Sequence, residues 1–176
     1  MKNMRTFCRD LSSIFQNVVR VNRGKLSLGG VAEKALELDA EKVIIIGKWR
    51  GESGKIQFFR ISAKSLDVVP PLIYVKGVKL SRDFEKNALR GRRLKSVAIT
   101  ASKTSSLEVE KLENVLSEFF NIPVFSLKEI CDRKFDVAMQ ISVDPSNRMI
   151  ITFKLIPEFV EVGPQIRVSH LIWELT

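Results

Sequence analysis

Histidine occurs once in these 176 residues, at position 170, and cysteine twice, at positions 8 and 131. A single imidazole excludes any metal or catalytic site that needs two. Two distant thiols exclude a disulfide framework and a four-ligand zinc site. Cys8 and Cys131 instead read as small buried hydrophobes in a reducing compartment. Long apolar runs are also missing. The longest, Val43 to Ile46 and Val68 to Val75, fall short of the ~20 residues a membrane helix needs, and Pro70-Pro71 interrupts the second. No apolar h-region follows Met1-Lys2-Asn3-Met4-Arg5, so no signal peptide is expected. Gly29-Gly30 lacks the Gly-Lys-Ser/Thr of a P-loop. Asp10, Asp67, Asp83, Asp132, Asp136 and Asp144 stand singly, without a two-metal pattern. The expectation is a soluble cytoplasmic protein that is not an enzyme, with no cofactor, no metal and no membrane partner.

What the chain has is apolar mass and positive charge. Hydrophobic residues make up 45%, enough to bury a core, and the formal charge is +9. That charge is uneven. Residues 1–103 hold 22 Lys+Arg against 9 Asp+Glu, an excess of 13, while residues 104–176 hold 7 against 11, a deficit of 4. The densest stretch runs from Lys76 to Lys103, where only Asp83 and Glu85 oppose nine cations. Helical i,i+4 pairing cannot neutralise such a run, whereas a polyanion can.

Apolar spacing predicts the elements. A helix is expected over Phe7 to Val18, then a short strand Val19 to Val21 and a turn at Asn22-Arg23-Gly24-Lys25. Ser27 caps a second helix. Lys42 to Gly47 reads as a buried strand, and Gly51-Glu52-Ser53-Gly54 as a hairpin turn into the strand Lys55 to Ser62. Pro71 to Lys76 is a further strand, and Leu80 to Leu89 a helix ended by Gly91. A strand Leu94 to Thr100 follows. Ser105 with Glu108 forms a capping box for a helix with its stripe at Leu112, Val115, Leu116, Phe119 and Phe120. Pro123 to Phe125 is a short strand, and Ser126 with Glu129 caps a short helix. Strands Phe135 to Val143, Arg148 to Ile156 and Gln165 to Leu171 complete the order.

This order occurs twice. Phe59-Arg60-Ile61 occupies the place of Phe153-Lys154-Leu155, and Pro71-Leu72-Ile73-Tyr74-Val75 that of Pro164-Gln165-Ile166-Arg167-Val168. Leu26-Ser27-Leu28 likewise matches Phe125-Ser126-Leu127. The fold class is therefore α/β, a single domain 1–176 of two repeated halves, about 1–90 and 91–176, each a mixed sheet with helices. The second copy opens with a strand, Ser96 to Thr100, that the first lacks, so an exposed sheet edge is expected.

These residues resemble the Brix domain in its short archaeal form. The resemblance rests on Arg5-Thr6-Phe7-Cys8-Arg9-Asp10-Leu11 and on Arg20-Val21-Asn22-Arg23-Gly24-Lys25-Leu26-Ser27. It continues through Val43 to Gly47 with Lys48-Trp49-Arg50-Gly51, Gly54 to Phe59, and Pro70-Pro71-Leu72-Ile73-Tyr74-Val75-Lys76-Gly77-Val78-Lys79-Leu80. It implies a ribosome-biogenesis factor that binds ribosomal RNA or its precursor, aiding pre-rRNA folding or processing and subunit assembly. It also implies two pseudo-two-fold-related halves, each like the anticodon-binding domain of class IIa aminoacyl-tRNA synthetases, and partners among ribosomal proteins or other assembly factors.

The residues themselves suggest where RNA would bind. Arg5, Arg9, Arg20, Asn22, Arg23 and Lys25 cluster around the first helix and the turn after it. Arginine there can grip phosphate bidentately. Lys48-Trp49-Arg50 sets an indole between two cations, either to stack a base or to pack on the core edge. Lys76, Lys79 and Arg82 leave a strand, and Arg90, Arg92, Arg93 and Lys95 sit at the junction of the halves. Phosphate contacts carry no sequence information, so shape and loops of RNA are the expected target. Neutralising about six to eight phosphates would give a log–log salt slope near −5. His170 reads as structural or exposed, not catalytic. Two other classes stay open: a tRNA or general structured-RNA module, and a scaffold presenting Glu108, Glu110, Glu113 and Glu118 to basic ribosomal proteins.

Overall fold

In a computed structural model, residues 3–49, 53–62, 65–84, 92–102 and 106–174 are described. Period-four apolar spacing becomes the helices α1 (Met4–Ile14), α2 (Leu28–Glu37), α3 (Leu107–Phe120) and α4 (Leu127–Asp132). Period-two spacing becomes the strands β1 (Lys42–Trp49), β2 (Ser53–Ser62), β3 (Ser65–Lys79) and β4 (Val97–Thr100). It also gives β5 (Val124–Phe125), β6 (Val137–Val143), β7 (Met149–Leu155) and β8 (Gln165–Ile172). All eight join one mixed sheet in the order β1-β2-β3-β8-β7-β6-β4-β5. β4 runs parallel to β5 and β6, and every other pairing is antiparallel. The meander β1-β2-β3 thus meets β8-β7-β6 where β3 lies against β8.

One large core lines one sheet face. It takes Phe7, Ile14 and Phe15 from α1 and its end, Phe58 and Ile73 from β2 and β3, Leu112 and Leu116 from α3, and Met139, Phe153 and Ile166 from β6, β7 and β8. Residues alternate along strands, so the opposite face holds a smaller cluster, Ala98, Ile130, Ala138 and Ile156, beneath α4. The large core draws on residues before 90 and after 91 alike. Phe15 stacks on Phe120 with centroids 4.2 Å apart and meets Phe153 edge-on at 5.9 Å. Phe58 of β2 packs against Phe119 at 4.8 Å. α3 lies near β5 and β6 yet also reaches β2, so the sheet curls around it. Arg60 reinforces this contact with a 2.5 Å ion pair to Glu118.

Several boundaries differ from the sequence expectation. α1 stops at Ile14 because Phe15 turns extended (φ −97°, ψ 113°) to reach the core between the halves. Val19 to Val21 is not a strand, and Val19 is 73% exposed. β1 is the edge of the sheet rather than a buried strand: Ile45 is buried while Val43, Ile44 and Ile46 are half-buried. β3 starts at Ser65, six residues early. Pro70 and Pro71 are tolerated there because the β2–β3 register shifts between Ile56 and Phe58, where a ladder N–H is not required. The expected helix from Leu80 is only a 3-10 turn, Ser81–Asp83, and Phe84 is extended; residues 85–91 lie outside the described residues, as do Gly51 and Glu52 of the expected hairpin turn, whose Ser53 and Gly54 belong to β2. β4 begins at Val97, since Lys95 and Ser96 instead donate their backbone N–H groups to Asp136 at 2.6 and 2.9 Å. Ser106, not Ser105, caps α3, accepting from the Val109 N–H at 3.4 Å. The capping box of Ser126 and Glu129 is present, and Ser27 caps α2 by accepting from Gly30 at 3.1 Å.

Candidate nucleic-acid interface

Arg5 and Arg9 are one helical turn apart on α1, and both are exposed. Three contacts bring other cations towards this helix. Asp10 is buried and accepts the Ser81 N–H at 2.9 Å, which places the 3-10 turn and Arg82 beside it. Gln16, just past α1, donates to the Leu94 carbonyl at 2.8 Å and so holds the segment of Arg93 and Lys95. Arg20 lies close enough to Cys8 to draw its thiol pKa down, although burial, the larger effect, leaves that pKa raised.

Lys48, Lys76 and Lys79 lie towards the same end of the first meander. Lys48 pairs with Gly54, Gly54 pairs with Val75, and β3 then runs on through Lys76 and Lys79 to the 3-10 turn. Asn22, Arg23 and Lys25 are exposed in the turn before α2, where Gly24 takes the positive φ (57°) the turn requires. Arg23 is anchored through Nε to the Leu26 carbonyl at 3.0 Å. Arg5, Arg9, Lys25, Lys48, Lys76, Arg93 and Lys95 are exposed and make no ion pair among the described residues.

Other expected site residues are less available. Arg92 forms an ion pair with Glu158, which holds the Glu158 carboxyl below its ordinary range and raises the guanidinium pKa. Lys79 sits 4.0 Å over the Phe84 ring, and Arg82 lies 3.8 Å from Asp83. Arg50 and Arg90 lie outside the described residues. The Trp49 indole likewise lies outside what is described. The acidic face of α3 is smaller than the sequence suggests. Glu113 is 4% exposed and faces inward, and Glu118 is engaged by Arg60.

Two residues that sequence reasoning passed over as ligands stand on the sheet face opposite the large core. Arg167 is exposed on β8, and His170 lies flat on Tyr74, centroids 4.3 Å apart and 13° from parallel. The alternation Gln165-Ile166-Arg167-Val168 already marks Arg167 as outward. Beyond them, where β8 diverges from β7, a cleft of about 260 Å³ opens between Ser106, Glu108, Asn147, Arg148, Ser169 and His170. Arg148 is bound there by Asp144 at 2.9 Å, and the Arg148 backbone N–H holds the Asp144 carboxyl below its ordinary pKa. No helix among the described residues is long and apolar enough to cross a membrane.

No protein-family model matches the chain. Over 181 residues it is 29% identical to a probable Brix domain-containing ribosomal biogenesis protein of Pyrococcus horikoshii, which covers 98% of this chain and 80% of that protein. A protein of the same description from Pyrococcus abyssi is 27% identical over the same shares. Among solved structures, a probable ribosomal biogenesis protein from Aeropyrum pernix K1 shares the fold with a TM-score of 0.75 at 23% identity, covering 96% of this chain and 91% of that one. An archaeal Imp4-like protein does so with a TM-score of 0.61 at 16% identity, over 98% and 93%. The resemblance read from the sequence therefore holds: the curated relatives are archaeal Brix domain-containing ribosomal biogenesis proteins, and the solved neighbours carry the same mixed α/β fold.

Proposed function

From this kinship with archaeal Brix domain-containing proteins, we propose that the chain is a non-catalytic, cytoplasmic ribosome-biogenesis factor. It binds ribosomal RNA or pre-rRNA and assists its folding or processing during subunit assembly. The carrying observation is the group of exposed, unpaired cations around α1 and the segment of Arg93 and Lys95. Cations held this close repel one another, and a polyanion relieves that repulsion. Exposed arginines can grip phosphates bidentately, and phosphate contacts suit recognition of RNA shape. Ribosomal proteins or other assembly factors are the expected protein partners.

The reading includes two halves, about 1–90 and 91–176, related by a pseudo-two-fold axis and each like an anticodon-binding domain. It is supported by the strand order, in which β1-β2-β3 and β6-β7-β8 run towards a shared seam. Of the junction cations, Arg93 and Lys95 are the RNA contacts, while Arg92 mainly ties the junction to Glu158. Crosslinking in cells followed by sequencing of the bound RNA tests the function. Enrichment of ribosomal RNA precursors is expected, and enrichment of tRNA instead would overturn it in favour of a tRNA-binding module.

A further inference from the structure

We propose that the open sheet face at the β3–β8 seam holds an unstacked nucleobase of single-stranded RNA, with His170 as the platform. This rests on the RNA-binding reading above but adds a second site, on β8 within the acidic stretch 104–176. The chain's only tyrosine and only histidine are adjacent here. Tyr74 is 8% exposed, whereas His170 above it is exposed and nearly parallel to it. A ring lying flat on a buried ring is held in place and presents its outer face to solvent, where a base can stack without ordering the platform first.

The surroundings fit a phosphate chain running past that base. Cross-strand partners project from the same face, so Lys55, Tyr74 and His170 form one row across β2, β3 and β8. Gly77, Arg167 and Ile150 form the next row across β3, β8 and β7. Lys79 and Gln165 form a third. A Cβ on Gly77 would lie 3.4 Å from an Arg167 guanidinium nitrogen, so glycine lets Arg167 lie low across the seam. No carboxylate stands in the first two rows; in the third, Gln165 donates to Glu161 at 2.9 Å and Lys79 lies over Phe84, so Arg167 is the cation nearest the platform's row. β3 and β8 pair with each other, which leaves little backbone edge for an added peptide strand and favours a ligand that reads rings and charge.

The test measures binding of full-length protein to a single-stranded RNA of about ten nucleotides and to a blunt RNA duplex. His170→Ala should weaken single-strand binding about 5- to 150-fold, the range of one lost base stack, with little change on the duplex. His170→Phe, which restores a ring, should stay within about twofold of wild type. Arg167→Gln should flatten the single-strand salt slope by about one phosphate contact. The proposal falls if His170→Ala binds the single strand as wild type does, or if His170→Ala and His170→Phe lose affinity equally while both melt at the wild-type temperature. If charge reversal at Arg5 and Arg9 weakens RNA binding while His170→Ala does not, this site alone is wrong. If the wild-type protein binds neither RNA, the RNA-binding reading fails with it.

Discussion

The first 90 or so residues and the rest of the chain, its two halves by length alone, contribute different things to one molecule. The first supplies most of the exposed cations: α1, the segment before α2, the end of β3 and the 3-10 turn expose Arg5, Arg9, Arg20, Lys25, Lys76 and Arg82, with Arg93 and Lys95 just beyond. The second supplies most of the apolar mass, through α3, β6 and β7 with Leu112, Leu116, Phe119, Met139, Ile141, Phe153 and Leu155. A helix of eleven residues is poorly stable alone. α1 is held because Phe7, Ile14 and Phe15 dock on a core that the other half has largely built. Exposed positive charge and buried apolar mass are thus divided unevenly along the chain.

If the core is truly common, damage on either side must be felt by both. Phe153→Ala and Phe7→Ala, both fully buried, should each cost about 3–5 kcal/mol and shift one cooperative urea transition. A second, unmoved transition would show that the halves are separate units. The charge division is broken or sharpened by reversing equal numbers of cations. Arg5→Glu with Arg9→Glu should weaken RNA binding at least about tenfold and flatten the salt slope by about two. Lys128→Glu with Lys134→Glu, around α4, should change neither much, and equal losses would refute the asymmetry.

The smallest effect contrasts two buried carboxylates, one on the first helix of each half. Asp10 is satisfied by the Ser81 N–H, whereas Glu113 takes one backbone hydrogen bond from Ser102 and leaves Oε1 without a partner among the described residues. Burial pushes the Glu113 pKa above its ordinary value. Ionised Glu113 is therefore unfavourable in the folded state. The penalty is absent below the unfolded-state pKa of about 4.3 and develops as pH rises through the folded one. Glu113→Gln should raise stability at pH 7 by about 1 kcal/mol and change nothing near pH 3, as thermal melts at the two pH values would report.

Local chemistry made much of this legible. Ser27 and Ser126 cap helices because side-chain oxygen suits the first orphan N–H groups, and the later strands follow from period-two patterning. Element ends set by distant contacts were hidden. Phe15 leaves α1 for Phe120, more than a hundred residues away, and Asp136 takes the N–H groups that would have lengthened β4. The site was legible as charge but not as geometry. Arg92 looked equivalent to Arg93 until Glu158 claimed it, and His170 had no visible role without Tyr74 beneath it.

Gly163 carries a consequence for how the halves are coupled. It adopts φ +65°, and a Cβ there would fall 2.6 Å from the Phe84 ring and 3.0 Å from the Ser81 Cα. Any other residue would face both a disfavoured backbone and an occupied space. The chain leaving the first half is thus seated, by an aromatic ring, on a bare patch of the second just before β8. Phe84 packed on Gly163 adds a side-chain contact to the β3–β8 pairing, and any side chain at position 163 would push that ring off its seat.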